Sequence, residues 1–182
     1  MVENITVKWY GKAERGVIEA ASILARVLSL EGKHVQAFPD SDPKGCLAPD
    51  TAFNRISSSP IRLHSFVEDA DLEVVLEPSL LKSFEFEPDS KKNTVFIMNT
   101  SHDPEYINEK FNLNANKIFT LDMKPVPPHI SLITIVINHL GLMPIENFKE
   151  GLKEVLSNRF DGESMTENLK MVDRVLKEVK EI

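Results

Sequence analysis

The residues best placed by type and spacing to do chemistry are 11–16, where Gly11 and Gly16 bracket Lys12, Ala13, Glu14 and Arg15. The stretch joins an apolar, strand-like segment to a long helical pattern. A glycine-bracketed turn of this kind is where backbone N–H groups commonly meet phosphate. A dinucleotide fingerprint needs glycine at its first, third and sixth positions, the middle one so that backbone can approach the pyrophosphate. Ala13 occupies that middle position. A Walker-type loop needs Lys and Ser or Thr after its last glycine, and Val17 and Ile18 stand there instead. Lys12 and Arg15 favour an anion. Glu14 puts a carboxylate at the helix start, which suits the helix dipole but competes with bound phosphate. Two readings stay open: an anion site built on Gly11, Lys12, Arg15 and Gly16, or a structural turn.

The remaining candidates are weaker. His34, His64, His102, His129 and His139 form no close pair with metal-ligand spacing. His129 and His139 flank and enter an apolar segment, where a packed or hydrogen-bonded histidine is the ordinary outcome. Glu68, Asp69, Asp71 and Glu73, and later Glu85, Glu87 and Asp89, read as solvated faces and loops. Cys46 sits beside Lys44 and Gly45 with no His or Asp at a spacing that would make it a nucleophile. The chain carries no self-sufficient catalytic constellation.

The elements that must position these residues follow from periodicity. Residues 4–10 predict a strand, and Val17, Ala20, Ala21, Leu24, Val27 and Leu28 recur at helical spacing over 14–31, with Gly32 as the stop. His34–Phe38 predicts a second strand, so the opening unit is β–α–β and favours a parallel pair under its helix. After the loop "PDSDPKGCLAPD" (39–50), strands are expected at 51–56, 61–64, 72–77, 94–100 and 117–122. Helices are expected at 101–111 with an N-cap near Ser101, at 130–141, near 144–156 and at 164–180. The segment 130–141 is apolar nearly all round, as in a buried helix. Ser164 with Glu167 reads as a capping box. Strands alternating with helices imply an α/β sandwich with a mostly parallel sheet, in one domain spanning 1–182.

Composition bounds the function. The net charge of −7 argues against non-specific nucleic-acid binding. A single cysteine excludes an internal disulfide framework and a cysteine-ligated iron–sulfur cluster or zinc ribbon made by this chain alone. No leader-like N-terminus and no long apolar run is seen, so a cytoplasmic protein without a membrane partner is expected.

The opening turn, "VQAFPD" (35–40), "AP" (48–49) and "AFNRIS" (52–57) together resemble the gamma subunit of the pyruvate and other 2-oxoacid:ferredoxin oxidoreductases. The match runs from about Thr6 to Glu77, then more loosely through "IMNT" and "GLMPIENFKE". The resemblance implies a three-layer Rossmann-like domain inside an assembly that oxidatively decarboxylates a 2-oxoacid and passes electrons to ferredoxin. It implies thiamine-binding alpha and beta subunits, a ferredoxin-like delta subunit and an external ferredoxin as partners. Thiamine diphosphate, Mg²⁺ and the iron–sulfur clusters then belong to those subunits, with no cofactor on this chain. The gamma domain is associated with coenzyme A handling, which points to Gly11, Lys12, Arg15 and Gly16 as its phosphate contacts.

The departures from the family are local. Its turn reads G-R-G-G-Q-G or nearly so; Ala13, Glu14 and Arg15 replace G-G-Q here. Gly45 and Leu47 stand where it has an arginine and a glycine, and His129-Ile130 where it has Asn-Thr. Gln36, Phe38, Pro39, Ala48, Pro49, Phe53 and Arg55 are kept. Scaffold is retained while ligand-facing positions differ, so a weakened coenzyme A site is expected. The rival expectations are a non-catalytic scaffold subunit of a coenzyme A-independent paralogue and a free-standing α/β binding protein. Cys46, Leu47, Ala48 and Pro49 are candidates for contact with the thiamine-bearing subunits; the alternative is that their loop folds back on its own sheet.

Overall fold

The structure is a computed structural model that describes residues 4–12, 16–39, 50–63, 65, 67, 69–82, 94–113, 115–123 and 129–182. The described strands are β1 (Ile5–Gly11), β2 (His34–Pro39), β3 (Asp50–Ser57), β4 (Leu72–Val75), β5 (Val95–Asn99), β6 (Lys117–Leu121) and β7 (Lys180–Glu181). They form one sheet in the order β2-β3-β1-β4-β5-β6-β7. β1, β4, β5 and β6 run parallel, and the flanking pairs β1/β3, β2/β3 and β6/β7 are antiparallel. The sheet is therefore mixed, parallel at its centre and antiparallel at both edges.

Helices cover both faces. α1 (Val17–Leu30), α3 (His129–Leu140), α4 (Ile145–Leu156) and α5 (Gly162–Glu178) pack on one side. Their apolar residues interlock with Val7, Trp9, Leu72, Val74, Ile97 and Phe119 of the strands. α2 (Pro104–Phe111) and a short 3-10 helix, Pro78–Lys82, cover Val75, Phe96, Met98 and Ile118 on the other. α3 is buried from Ile130 to Val136 and on to Ile137, as its uniform apolarity requires. α4 approaches α1 closely because Gly151 has no side chain: a Cβ there would stand 2.9 Å from Val27 Cγ1.

Three expectations need correction. β1 and β2 are parallel to one another but not adjacent, since β3 lies between them and pairs with both. Residues 61–63 form no strand; Gln36 and Arg55 donate to the Leu63 carbonyl instead, which ties that segment to the sheet. Helix starts also differ. α2 begins at Pro104, whose missing N–H costs nothing at the first helical position. α5 begins at Gly162, because Asp161 Oδ1 accepts from the Ser164 N–H at 2.8 Å and takes the capping role one turn early.

One polar group reaches through the core. Asn54 on β3 is fully buried, accepts from Trp9 Nε1 at 2.8 Å and donates to the Ala21 carbonyl at 2.9 Å. It fixes β3, β1 and α1 to each other at the root of the turn that follows β1.

Candidate functional site

In open α/β sheets ligands bind outside the carboxyl ends of parallel strands, where the connections diverge to opposite sides. That point lies between β1 and β4. The chain leaves β1 through α1 toward β3 and β2 on one side, whereas β4, β5 and β6 follow one another on the other. Gly11, the last residue of β1, is buried opposite Asp50, and Lys12 beyond it is exposed.

Gly16 is the N-cap of α1 and sits in the left-handed region at φ 78°, ψ 23°, with no side-chain cap. An L side chain there would be strained, which accounts for glycine at this position. The N-terminus of α3 comes to the same place. His129 Nδ1 lies 3.4 Å from the point where a Cβ on Gly16 would stand, and Glu19 Oε2 lies 3.7 Å from it. The first side chain of α3 thus packs against the glycine that opens α1.

The charged groups around Gly16 oppose one another. Glu19, in the first turn of α1, pairs through Oε1 with Arg159, which follows α4. Burial pushes the His129 imidazole below the usual histidine value; Glu19 opposes that shift and Arg159 adds to it. Below-normal basicity leaves His129 neutral at pH 7, with Nδ1 buried and without a hydrogen-bond partner. The arrangement sets a carboxylate and an imidazole beside the glycine that opens α1. It holds no nucleophile with an adjacent base, and among the described residues no three His, Cys, Asp or Glu side chains group as metal ligands.

The carboxyl edge is held in shape by Asn99 on β5, which donates to the Leu76 carbonyl at 2.9 Å and accepts from the Met123 N–H at 3.0 Å. A groove of about 560 Å³ between α1 and α4, lined by Val27, Leu30, Glu31 and Gly151 among others, lies at the far end of α1. It is remote from the turn and rich in carboxylates, so it does not belong to this site.

Of the residues expected from sequence, Gly11, Lys12 and Gly16 stand at the two ends of the turn at this switch point. Arg15, Cys46, Leu47 and Ala48 lie outside the described residues, as does Pro49. Glu19 and Arg159 were not expected. They are 140 residues apart, and no spacing rule connects them. His129 was expected to be packed or hydrogen-bonded; it is packed, with its Nδ1 buried and without a partner. The signal that could have found it was its replacement of the family's Asn at the start of the apolar helix.

The whole chain has relatives of known kind. A family model described as pyruvate ferredoxin/flavodoxin oxidoreductase matches residues 6–178. The pyruvate/ketoisovalerate oxidoreductases common subunit gamma of Pyrococcus furiosus is 34% identical over 161 residues, covering 84% of this chain and 87% of that one. The crystal structure of pyruvate oxidoreductase subunit PORC from Thermotoga maritima superposes with a TM-score of 0.79 at 27% identity, covering 98% of each chain. The 2-oxoglutarate:ferredoxin oxidoreductase of Magnetococcus marinus, solved with 2-oxoglutarate, coenzyme A and succinyl-CoA bound, shares the fold. Its TM-score is 0.62 at 16% identity, covering 96% of this chain and 31% of that one. A mixed α/β sheet of this topology and full-length relatives of one kind agree, and the chain belongs to the pyruvate ferredoxin/flavodoxin oxidoreductase family as a gamma-type subunit of the enzyme.

Proposed function

We propose that this subunit supplies the coenzyme A phosphate seat of an oxidative 2-oxoacid decarboxylase, in a weakened form, at Gly11, Lys12, Arg15 and Gly16. The observation that carries this is the left-handed Gly16 that opens α1 at the switch point of the sheet, with Lys12 exposed just after β1. Backbone N–H groups and the Lys12 ammonium would hold phosphate there, while Ala13 and Glu14 narrow and repel. Thiamine diphosphate with Mg²⁺, and the iron–sulfur clusters that feed ferredoxin, are assigned to alpha, beta and delta partners. The chain's single cysteine fits that division.

Reversing the charge at Lys12 tests the seat. In the assembled complex, Lys12→Glu is expected to raise the KM for coenzyme A about tenfold, the effect of about 1.4 kcal/mol of lost binding. The KM for the 2-oxoacid should stay the same, because that substrate reacts elsewhere. Micromolar coenzyme A affinity in the isolated wild-type chain would overturn the weakened state, and an unchanged coenzyme A KM would overturn the seat.

A second reading, a scaffold subunit of a coenzyme A-independent paralogue, is favoured by the carboxylate of Glu19 beside Gly16. In both readings Cys46, Leu47, Ala48 and Pro49 contact the thiamine-binding subunits, where apolar groups stabilise association. Leu47→Asp is expected to release the chain from the complex on size-exclusion chromatography. Co-elution of the variant as before would remove the loop from the interface.

A further inference from the structure

The end of α1 farthest from the opening turn borders a groove of about 560 Å³ against α4. Val27, fully buried, forms part of its floor, and Leu30, the last residue of α1, stands 48% exposed beside it. Three carboxylates, Glu31, Glu150 and Glu154, line the groove with a single lysine, Lys153. That lysine is already engaged: its Nζ donates to Glu150 at 2.6 Å. Glu31 accepts from the Asn147 amide, which brings no charge. The helix adds to the imbalance. α1 ends here on the negative side of its dipole, where cations are the stabilising neighbours, yet its last turn carries no basic residue and its C-cap is Glu31. Apolar surface is thus ringed by negative charge that Lys153 balances only in part.

We propose that this groove docks a basic segment of another subunit of the complex, with an apolar side chain seated on Leu30 and a lysine or arginine on either side of it. The proposal rests on the chain's place as a subunit of the oxidoreductase and is independent of the anion seat. Lysine and arginine lay their stems along apolar surface while their charged heads reach the rim, so one segment satisfies both features. A second copy of this chain fits poorly, because a net charge of −7 sets two such molecules against each other. The rim carboxylates Glu31, Glu150 and Glu154 are exposed, so they set the rate and specificity of docking, while Leu30 supplies apolar contact.

Carboxyl footprinting with a carbodiimide and glycine ethyl ester, read by mass spectrometry, compares the full chain alone with the assembled complex. Labelling of Glu31 and Glu154 should be lost on assembly. Salt dependence then identifies the occupant. The double variant Glu31→Gln/Glu154→Gln should bind the remaining subunits about fivefold more weakly at low salt, with a shallower dependence on salt. Leu30→Ser should weaken binding at every salt concentration and leave that dependence as it was. All three positions are exposed, so their substitution spares the core. Equal labelling of the free chain and the complex would overturn the proposal. So would lost labelling with native salt dependence in the double variant, which would show an occupant without basic groups. Light scattering that finds the isolated chain dimeric, with both carboxylates already protected, would give the groove to a second copy and overturn it as well.

Discussion

Replacing Asn54 with alanine is expected to cost about 2–4 kcal/mol of stability, among the largest losses available to a single substitution in this chain. The amide is fully buried, so nothing from solvent can replace what it does. Without it the Trp9 indole N–H loses its acceptor, and a buried donor left unsatisfied costs about 1–3 kcal/mol by itself. The contact with the Ala21 carbonyl goes too, and with it a tie between β3 and α1. The missing amide also leaves a void beside Trp9, one of the largest fully buried side chains. Trp9 is the only tryptophan, so its fluorescence reports this contact without interference from a second indole. Urea titration of Asn54→Ala should show a lower midpoint, and the native emission should change in wavelength or intensity. A variant with native midpoint and native emission would show that the indole does not depend on Asn54.

The same residue shows why part of this protein was legible in its sequence. "QAFP" and "AFNRI" are sixteen residues apart by their numbering, Gln36 to Ala52, yet they are paired lines of one hairpin. Gln36 lies opposite Arg55 and Phe38 opposite Phe53, with the two phenyl rings 5.6 Å apart. A family resemblance read as two separate words is physically one cross-strand cluster. Helices α1 and α3 were legible for a different reason: their apolar spacing is a local property, and local periodicity survives in a one-dimensional string. The place of β3 between β1 and β2 was not legible. Which strand inserts beside which depends on contacts far apart in sequence, and a β–α–β pattern is compatible with either neighbour.

The site divided along the same line. Gly11, Lys12 and Gly16 were visible because the turn is continuous. Glu19 and Arg159 were invisible because one lies in a helix and the other follows a different helix, and only packing brings them together. The N-cap of α5 failed for a local reason. Asp161 and Ser164 are both good caps three residues apart, and the upstream one is the cap, its side chain accepting from the Ser164 N–H.

The other large effect is expected from Arg55→Lys, a change that keeps the charge and loses the geometry. Arg55 is 5% exposed on β3, on the face of the sheet away from α1. Its guanidinium reaches in two directions: Nη1 to Gln36 Oε1 and to the Leu63 carbonyl, both at 3.4 Å, and Nη2 to the Ser65 carbonyl. The same group lies over the Phe38 ring at 5.1 Å. A planar fork can serve several acceptors and stack at once, whereas an ammonium is a single point on a flexible stem. Lysine at this position would leave at least one of these carbonyls unserved and would carry a strongly hydrated charge into a buried place. The expected loss is about 2–3 kcal/mol, the scale of charge-assisted hydrogen bonds broken in the interior. It should be local as well as global, because these bonds hold the segment after β3 against the sheet. Amide exchange at Ser59, Ile61, Arg62 and Leu63 should therefore quicken in Arg55→Lys while exchange in α3 follows only the global stability. Equal exchange of the segment in both forms, at equal stability, would show that charge alone suffices at this position and that the fork is dispensable.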